Sequence, residues 1–365
     1  MTGRVLGLCA LLCVVACGDD QEPAPTGEIT YHVVHYDYAF DMETRAAQAT
    51  LSLDIIDGGD CLTIPMRADA LADVRLDGEP ITSGGLDAGL LTACGAGWQA
   101  GSKIELSASV VIPMTTWEDT QVGYSEWVDA EDNPFTYLVS WVGGCDRHGP
   151  CDNAPDQFAA YKFTVTHPDD TLVTCPGVIT PTPTQTTCEF DFDGGPTYSA
   201  FGVAMSPSWS VSDIGTWGSG VSVKLYDSPS TGATARFDAA LHDQFFTWLE
   251  SLFGPYPYGD ELRFIIAPTY WAGFEHPGNI VLSDSLSGNG QRNTLHHEMV
   301  HMWAGNKTTL ADTYDFVWKE AIANYLPLVF LEENVSATQA LSIARSWRSQ
   351  AQASQYHLVP EDHPS

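Results

Sequence analysis

The sequence predicts an α+β chain of two domains, an antiparallel β-domain followed by a mainly helical second half. Three observations carry that prediction. The 365 residues suffice for two or three domains, each able to bury a core. Up to about residue 224, short runs alternate apolar and polar residues at period two. Beyond a Ser/Pro/Gly-rich stretch near residue 230, apolar residues recur at three and four instead. With 44% hydrophobic and 17% charged residues, the composition is that of a globular chain and not a disordered one.

The chain opens on MTGRVLGLCALLCVVAC, residues 1–17, with Arg4 followed by an apolar run too short to span a bilayer. It reads as a secretory leader. Val14-Val15-Ala16-Cys17 resembles the lipobox of bacterial lipoproteins, in which the cysteine is acylated and becomes the mature N-terminus. Cys17 is therefore the expected lipidation site, residues 18–28 a polar tether, and the cell envelope the expected location. No other segment is apolar enough to cross a membrane, so membrane contact is expected through the lipid alone.

Residues 29–230 form the expected β-domain. Its clearest strand is Thr50-Leu51-Ser52-Leu53-Asp54-Ile55, and comparable runs occupy Lys103–Ile112, Phe135–Val142 and Phe158–Thr166. Gly, Pro, Asp and Thr clusters such as Pro176–Thr187 separate them. Residues 231–365 form the second domain. Ala235–Phe253 carries Phe237, Leu241, Phe245, Trp248 and Leu252 at helical spacing and is closed by Gly254-Pro255. A short strand follows at Arg263–Ala267, then helices near 292–304, 315–331 and 336–356.

Nine cysteines less three in the leader leave Cys61, Cys94, Cys145, Cys151, Cys175 and Cys188. An even count in an exported chain points to disulfides, and nearest-neighbour pairing is expected: Cys61–Cys94, Cys145–Cys151 and Cys175–Cys188. No C-x-x-C spacing supports a zinc cluster instead. The formal net charge of −32, from 15 Lys+Arg against 47 Asp+Glu, argues against nucleic acid as a partner. An acidic surface of this kind serves solubility.

One constellation points to chemistry. Leu295-His296-His297-Glu298-Met299-Val300-His301-Met302-Trp303 contains H-E-x-x-H. On a helix, His297 and His301 project from one face as a pair of imidazole ligands for zinc, and Glu298 is placed to act on a water at the metal. Two structural histidines on a partly buried helix are the rival reading. Separated from His301 by eighteen residues, Glu320 offers the third ligand of a His₂Glu set with an open fourth position. His296, one position along, points elsewhere. No G-x-S-x-G occurs to suggest a serine nucleophile. His32 and His35 decorate a β-surface, and Trp209, Trp217, Tyr270 and Trp271 read as core or cleft lining.

Several motifs in one order give the chain a resemblance to the aminopeptidase N-like zinc metallopeptidases, which also include the leukotriene hydrolase. The family's H-E-x-x-H-x-W-x-G-N stands as His297–Asn306, with Trp303, Gly305 and Asn306 in place. Glu320 follows at the family's spacing. Ala272-Gly273-Phe274-Glu275-His276 is a loose G-A-M-E-N, and Phe253–Tyr258 resembles the approach to it. Pro150-Cys151-Asp152-Asn153-Ala154-Pro155 is similar to P-C-x-D-E-P. The resemblance implies a saddle- or sandwich-like β-domain before a thermolysin-like catalytic domain. It implies one zinc per chain on His297, His301 and Glu320, with Glu298 as general base. Gly273 and Glu275 would bind substrate, Glu275 through the free α-amine of a peptide. The implied activity is zinc-dependent removal of N-terminal residues, with thermolysin-like endopeptidase cleavage or a non-catalytic binding role as alternatives.

The chain departs from the family in places. The family's transition-state tyrosine lies about sixty residues beyond the zinc glutamate, where it bonds the developing oxyanion. Here 45 residues follow Glu320, and neither Tyr325 nor Tyr356 is a convincing substitute, so the sequence is expected to stop inside the catalytic domain. Lys319 and Ala321 flank Glu320 where Asn and Gly are usual. Trp141 falls where a second amine-binding side chain is expected, and Pro327 is expected to interrupt the ligand helix.

Overall fold

The computed structural model describes residues 26–115, 122–232, 237–312 and 315–353. Cys17, the leader and Tyr356 lie outside them. Among the described residues no helix is long and apolar enough to cross a membrane.

The expected alternation builds the first domain. In the strand Ala46–Asp57, Ala47, Ala49, Leu51, Leu53 and Ile55 point into the core while their neighbours face outward. Phe158–Thr166 does the same with Ala159, Tyr161, Phe163 and Val165. Both belong to an eight-stranded sheet running Val178–Pro181, Gln185–Pro196, Phe158–Thr166, Thr30–Asp41, Ala46–Asp57, Lys103–Val111, Ala70–Leu76, Glu79–Pro80. The antiparallel expectation needs one correction. Thr30–Asp41 pairs with Phe158–Thr166 in parallel, from His35 opposite Ala160 to Asp41 opposite Thr166. The Pro176–Thr187 cluster, expected as a separator, instead contains a hairpin between Val178–Pro181 and Gln185–Pro196. A three-stranded sheet of Gly59–Pro65, Leu90–Trp98 and Ser83–Asp87 shares the same core through Leu62, Ile64, Leu91 and Ala93. All three disulfides pair as expected: Cys61–Cys94, Cys145–Cys151 and Cys175–Cys188.

A four-stranded sheet, ordered Leu172–Thr174, Gly202–Ser206, Pro134–Val139, Gly123–Val128, forms the seam between the two halves. Its strand Gly202–Ser206 is buried on both faces. Leu138 and Val203 join a large core that runs through both halves, from Ile29 to Phe330, whereas Tyr137, Val139 and Ala204 pack with Ile265, Phe274 and Val281 in a second, smaller one.

The mainly helical second domain is corrected by a five-stranded mixed sheet that the helices flank. Its order is Ser210–Trp217, Val221–Asp227, Glu261–Ala267, Asn279–Ser283, Gly273–His276, so it draws strands from both sides of residue 230. The strands Val221–Asp227, Glu261–Ala267 and Asn279–Ser283 are mutually parallel. Covered on both faces, Leu262–Ala267 and Asn279–Ser283 are continuously buried and show no alternation.

Among the described residues, five α-helices complete the fold. The single turn α1 is Thr197–Ala200, and α2 is Ala239–Phe253, capped by the Asp238 side chain, which accepts from Leu241 N at 3.2 Å. Helices α3, Gly288–His301, α4, Phe316–Phe330, and α5, Ala337–Ala353, match the expected spacing closely. Pro327 does not interrupt α4. The helix continues to Phe330 and widens into a π turn at Leu331–Val335.

Candidate metal centre

Helix α3 carries the histidines and α4 carries the glutamate. The i, i+4 spacing brings His297 Nε2 to 3.1 Å from His301 Nε2. Glu320 reaches across from α4, with Oε2 3.1 Å from His297 Nε2 and Oε1 3.6 Å from His301 Nε2. Tetrahedral zinc with ligands at about 2.0–2.1 Å separates its donors by about 3.3 Å, so this set fits. The donor chemistry agrees: His301 Nδ1 lies 3.1 Å from the Ala304 carbonyl, which can only accept. That bond fixes the proton on Nδ1 and leaves the Nε2 lone pair for a metal.

Glu298, on the same turn, keeps a carboxylate oxygen within 4.8 Å of both ring nitrogens. Burial pushes its carboxyl up to about 8. Burial also raises Glu320, but the imidazoles of His297 and His301 and the Lys319 ammonium beside it outweigh that and hold the group well below the usual carboxylate range. A dication among these groups would favour every charged carboxylate.

The motif residues after His301 act as fasteners. Asn306 N donates to His301 O at 2.8 Å, and its amide donates to the Glu275 carbonyl. Ser199 Oγ donates to Asn306 Oδ1 at 2.6 Å, and Tyr198 OH to Gly305 O at 2.6 Å. Trp303 Nε1 reaches the Gly254 carbonyl at 3.2 Å, tying in the end of α2. On the neighbouring strand, His276 Nδ1 donates to Ser199 O at 2.6 Å, so Nε2 accepts from Tyr137 OH at 2.7 Å. These bonds lock the strand Gly273–His276 against the end of helix α3.

A cleft of about 180 Å³ opens over this centre, lined by Trp141, Trp271, Gly273, Phe274, Glu275 and Glu298 with His297, His301 and Glu320. Every candidate site residue from the sequence that lies among the described residues converges here. Gly273 earns its place sterically: a Cβ there would lie 2.7 Å from Thr294 Cγ2 and 2.8 Å from Glu298 Cγ. His296 turns away, stacked on Phe245 with ring centroids 4.0 Å apart and 3.1 Å from His242 Nδ1. Trp209 and Trp217 are core and Trp271 lines the cleft, as expected, but Tyr270 is 53% exposed.

Lys319, in sequence only a neighbour of Glu320, has its ammonium buried against the Glu275 carboxylate and 3.4 Å from Glu320 Oε1. Burial would favour the neutral amine, but Glu275 reverses this and holds the ammonium above its usual value. The same pairing overrides burial at Glu275 and holds its carboxyl below the usual value. The only sequence clue was a basic residue where Asn is usual.

No protein-family model matches the chain. Aminopeptidase N of Streptomyces lividans is 24% identical over 315 residues, covering 79% of this chain. The chain spans 36% of that relative's length. Among solved structures, a mutant M1 zinc metallopeptidase from Deinococcus radiodurans matches with TM-score 0.73 and 17% identity, covering 90% of this chain and 76% of that one. A form of that peptidase bound to a Tyr-Ser-Ala substrate matches with TM-score 0.74 and 17% identity, over 88% and 75% of the two chains. The resemblance drawn from the motifs is therefore met in the fold.

Proposed function

We propose that this chain, aminopeptidase N-like in sequence motifs and fold, is a zinc-dependent aminopeptidase that removes N-terminal residues from peptides. One observation carries the reading: His297, His301 and Glu320 converge at zinc-ligand spacing in a cleft whose walls hold Glu298 and Glu275. One zinc per chain on those three side chains would supply a water of lowered pKa and polarise the scissile carbonyl.

The remaining steps belong to the chain itself. Glu298 takes the proton of the attacking water and hands it to the leaving amine. Glu275 stands on the wall where the N-terminal end of a peptide would lie. Trp141, Trp271 and Phe274 make that wall apolar, which excludes water and strengthens each charge interaction inside. An exported, envelope-anchored protein acylated at Cys17 completes the proposal, and the mass of the mature N-terminus tests that part.

Hydrolysis of aminoacyl anilides by the purified protein, with and without added zinc, tests the activity. Zinc-dependent turnover should fall by about 10²–10⁴ in Glu298→Gln while bound zinc stays at one per chain. Turnover that is indifferent to zinc, or that survives this substitution, rejects the reading.

A further inference from the structure

The Lys319 ammonium is housed like a bound ligand. Its side chain is 1% exposed and pairs with Glu275, itself 3% exposed. The rings of Trp141, Tyr198 and Phe316 stand around it, with centroids 5.0, 5.1 and 4.9 Å from Nζ. A carboxylate plus an aromatic cage is the chemistry that recognises an organic ammonium. The backbone leaves room for it, since a Cβ at Gly305 would lie 2.8 Å from Lys319 Cε. Trp141, which supplies one wall, offers no acceptor for a second ammonium.

Charge counting gives the consequence. Glu275, Glu298 and Glu320 contribute three negative charges, which a bound dication and Lys319 together cancel. Without Lys319 the same cleft would keep one negative charge, the attraction that selects a cationic N-terminus over a neutral one.

We propose that Lys319 is a built-in occupant of the amine-recognition site, so that the cleft hydrolyses peptides with uncharged, N-acylated ends as well as those with a free α-amine. Lys319 is thus a specificity-determining residue of the site. The inference rests on the peptidase reading and widens its substrate class. Hydrolysis remains the addition of water across one amide, and no other reactant is needed.

Two measurements test it. The zinc-loaded protein is assayed on leucine p-nitroanilide and N-acetyl-leucine p-nitroanilide. The two kcat/KM values should lie within about tenfold of each other, and Lys319→Asn should raise the preference for the free amine at least about tenfold, through KM. Separately, calorimetry on metal-free protein follows L-leucine and N-acetyl-L-leucine. Lys319→Asn should tighten L-leucine at least about tenfold and leave the acetylated ligand alone. Because that variant leaves Glu275 buried without its partner, the doubly neutral Lys319→Met/Glu275→Gln chain is measured beside it. This chain should show no preference for the free amine in calorimetry.

A native preference for the free amine above about 100-fold overturns the inference. So does Lys319→Asn that leaves L-leucine binding unchanged, or a doubly neutral chain that prefers L-leucine as strongly as Lys319→Asn. If zinc is bound and neither anilide is cleaved, the peptidase reading fails, while the calorimetric arm still decides whether Lys319 fills an amine site.

Discussion

Replacing Gly305 by Ala concentrates several features of the centre into one substitution. Gly305 sits at φ +148°, a conformation that side-chain-bearing residues rarely adopt, and adopting it with a Cβ costs about 1–3 kcal/mol. The new methyl would meet Lys319 Cε at 2.8 Å, His301 Nδ1 at 3.0 Å and His301 O at 3.3 Å. Lys319 can yield only by leaving Glu275, and His301 only by leaving the Ala304 carbonyl. Crowding of that kind adds about 1–3 kcal/mol. The sum, about 2–6 kcal/mol, is a large share of the stability of an ordinary domain. Displacing His301 should also weaken zinc by about 10–100-fold, as loss of an orienting bond to a ligand does. Urea denaturation of the metal-free variant reads the first quantity, and competition with a chromophoric chelator reads the second. A Gly305→Ala chain that unfolds within about 0.5 kcal/mol of the parent and holds zinc within about twofold would refute the reasoning.

Acid offers a further test. Burial holds His148 down to about 3, and His242 and His276 down to about 4, so each binds its proton more weakly folded than unfolded. Stability is therefore full above the unfolded value near 6.5 and is lost as pH falls towards the folded values, by roughly 2–3 kcal/mol per histidine at pH 4.5. Denaturant midpoints of metal-free protein at pH 7 and 4.5 should differ accordingly, and His148→Phe should flatten the slope. Equal midpoints at the two pH values would show that these rings do not resist protonation. Asn306→Ala strands the Ser199 hydroxyl and the Glu275 carbonyl in a buried place, and should cost about 2–4 kcal/mol in a denaturant titration. A loss under about 1 kcal/mol would mean the fastening is redundant.

What could be read from the residues alone follows the reach of each interaction. Thr50–Ile55 announces its strand because alternation is local, and α2 announces itself through Leu241 and Phe245 one turn apart. His297 and His301 are legible for the same reason, since four residues on a helix set their geometry. The strands Gly273–His276 and Asn279–Ser283 escaped because they are short and the second is buried on both faces, which erases the alternation. The parallel partnership of Thr30–Asp41 with Phe158–Thr166 leaves no local mark at all. Lys319 escaped because its partner, Glu275, is 44 residues away, and only the folded chain brings the two charges together.

That parallel partnership also bears on how the chain is made. The strand beginning at Thr30 emerges from the ribosome early and can fold back on Ala46–Asp57 at once, but its other edge waits for residues about 125 positions later. At about 5–20 residues per second, the wait is of the order of 6–25 s. Throughout it, a row of unpaired amides and carbonyls beside Tyr36, Tyr38 and Phe40 stands open to any neighbouring nascent chain. A leaderless form, made and folded in the cytosol, should therefore aggregate most readily on crowded polysomes, and a chaperone that shelters the first sixty or so residues should raise its yield more than one acting after release.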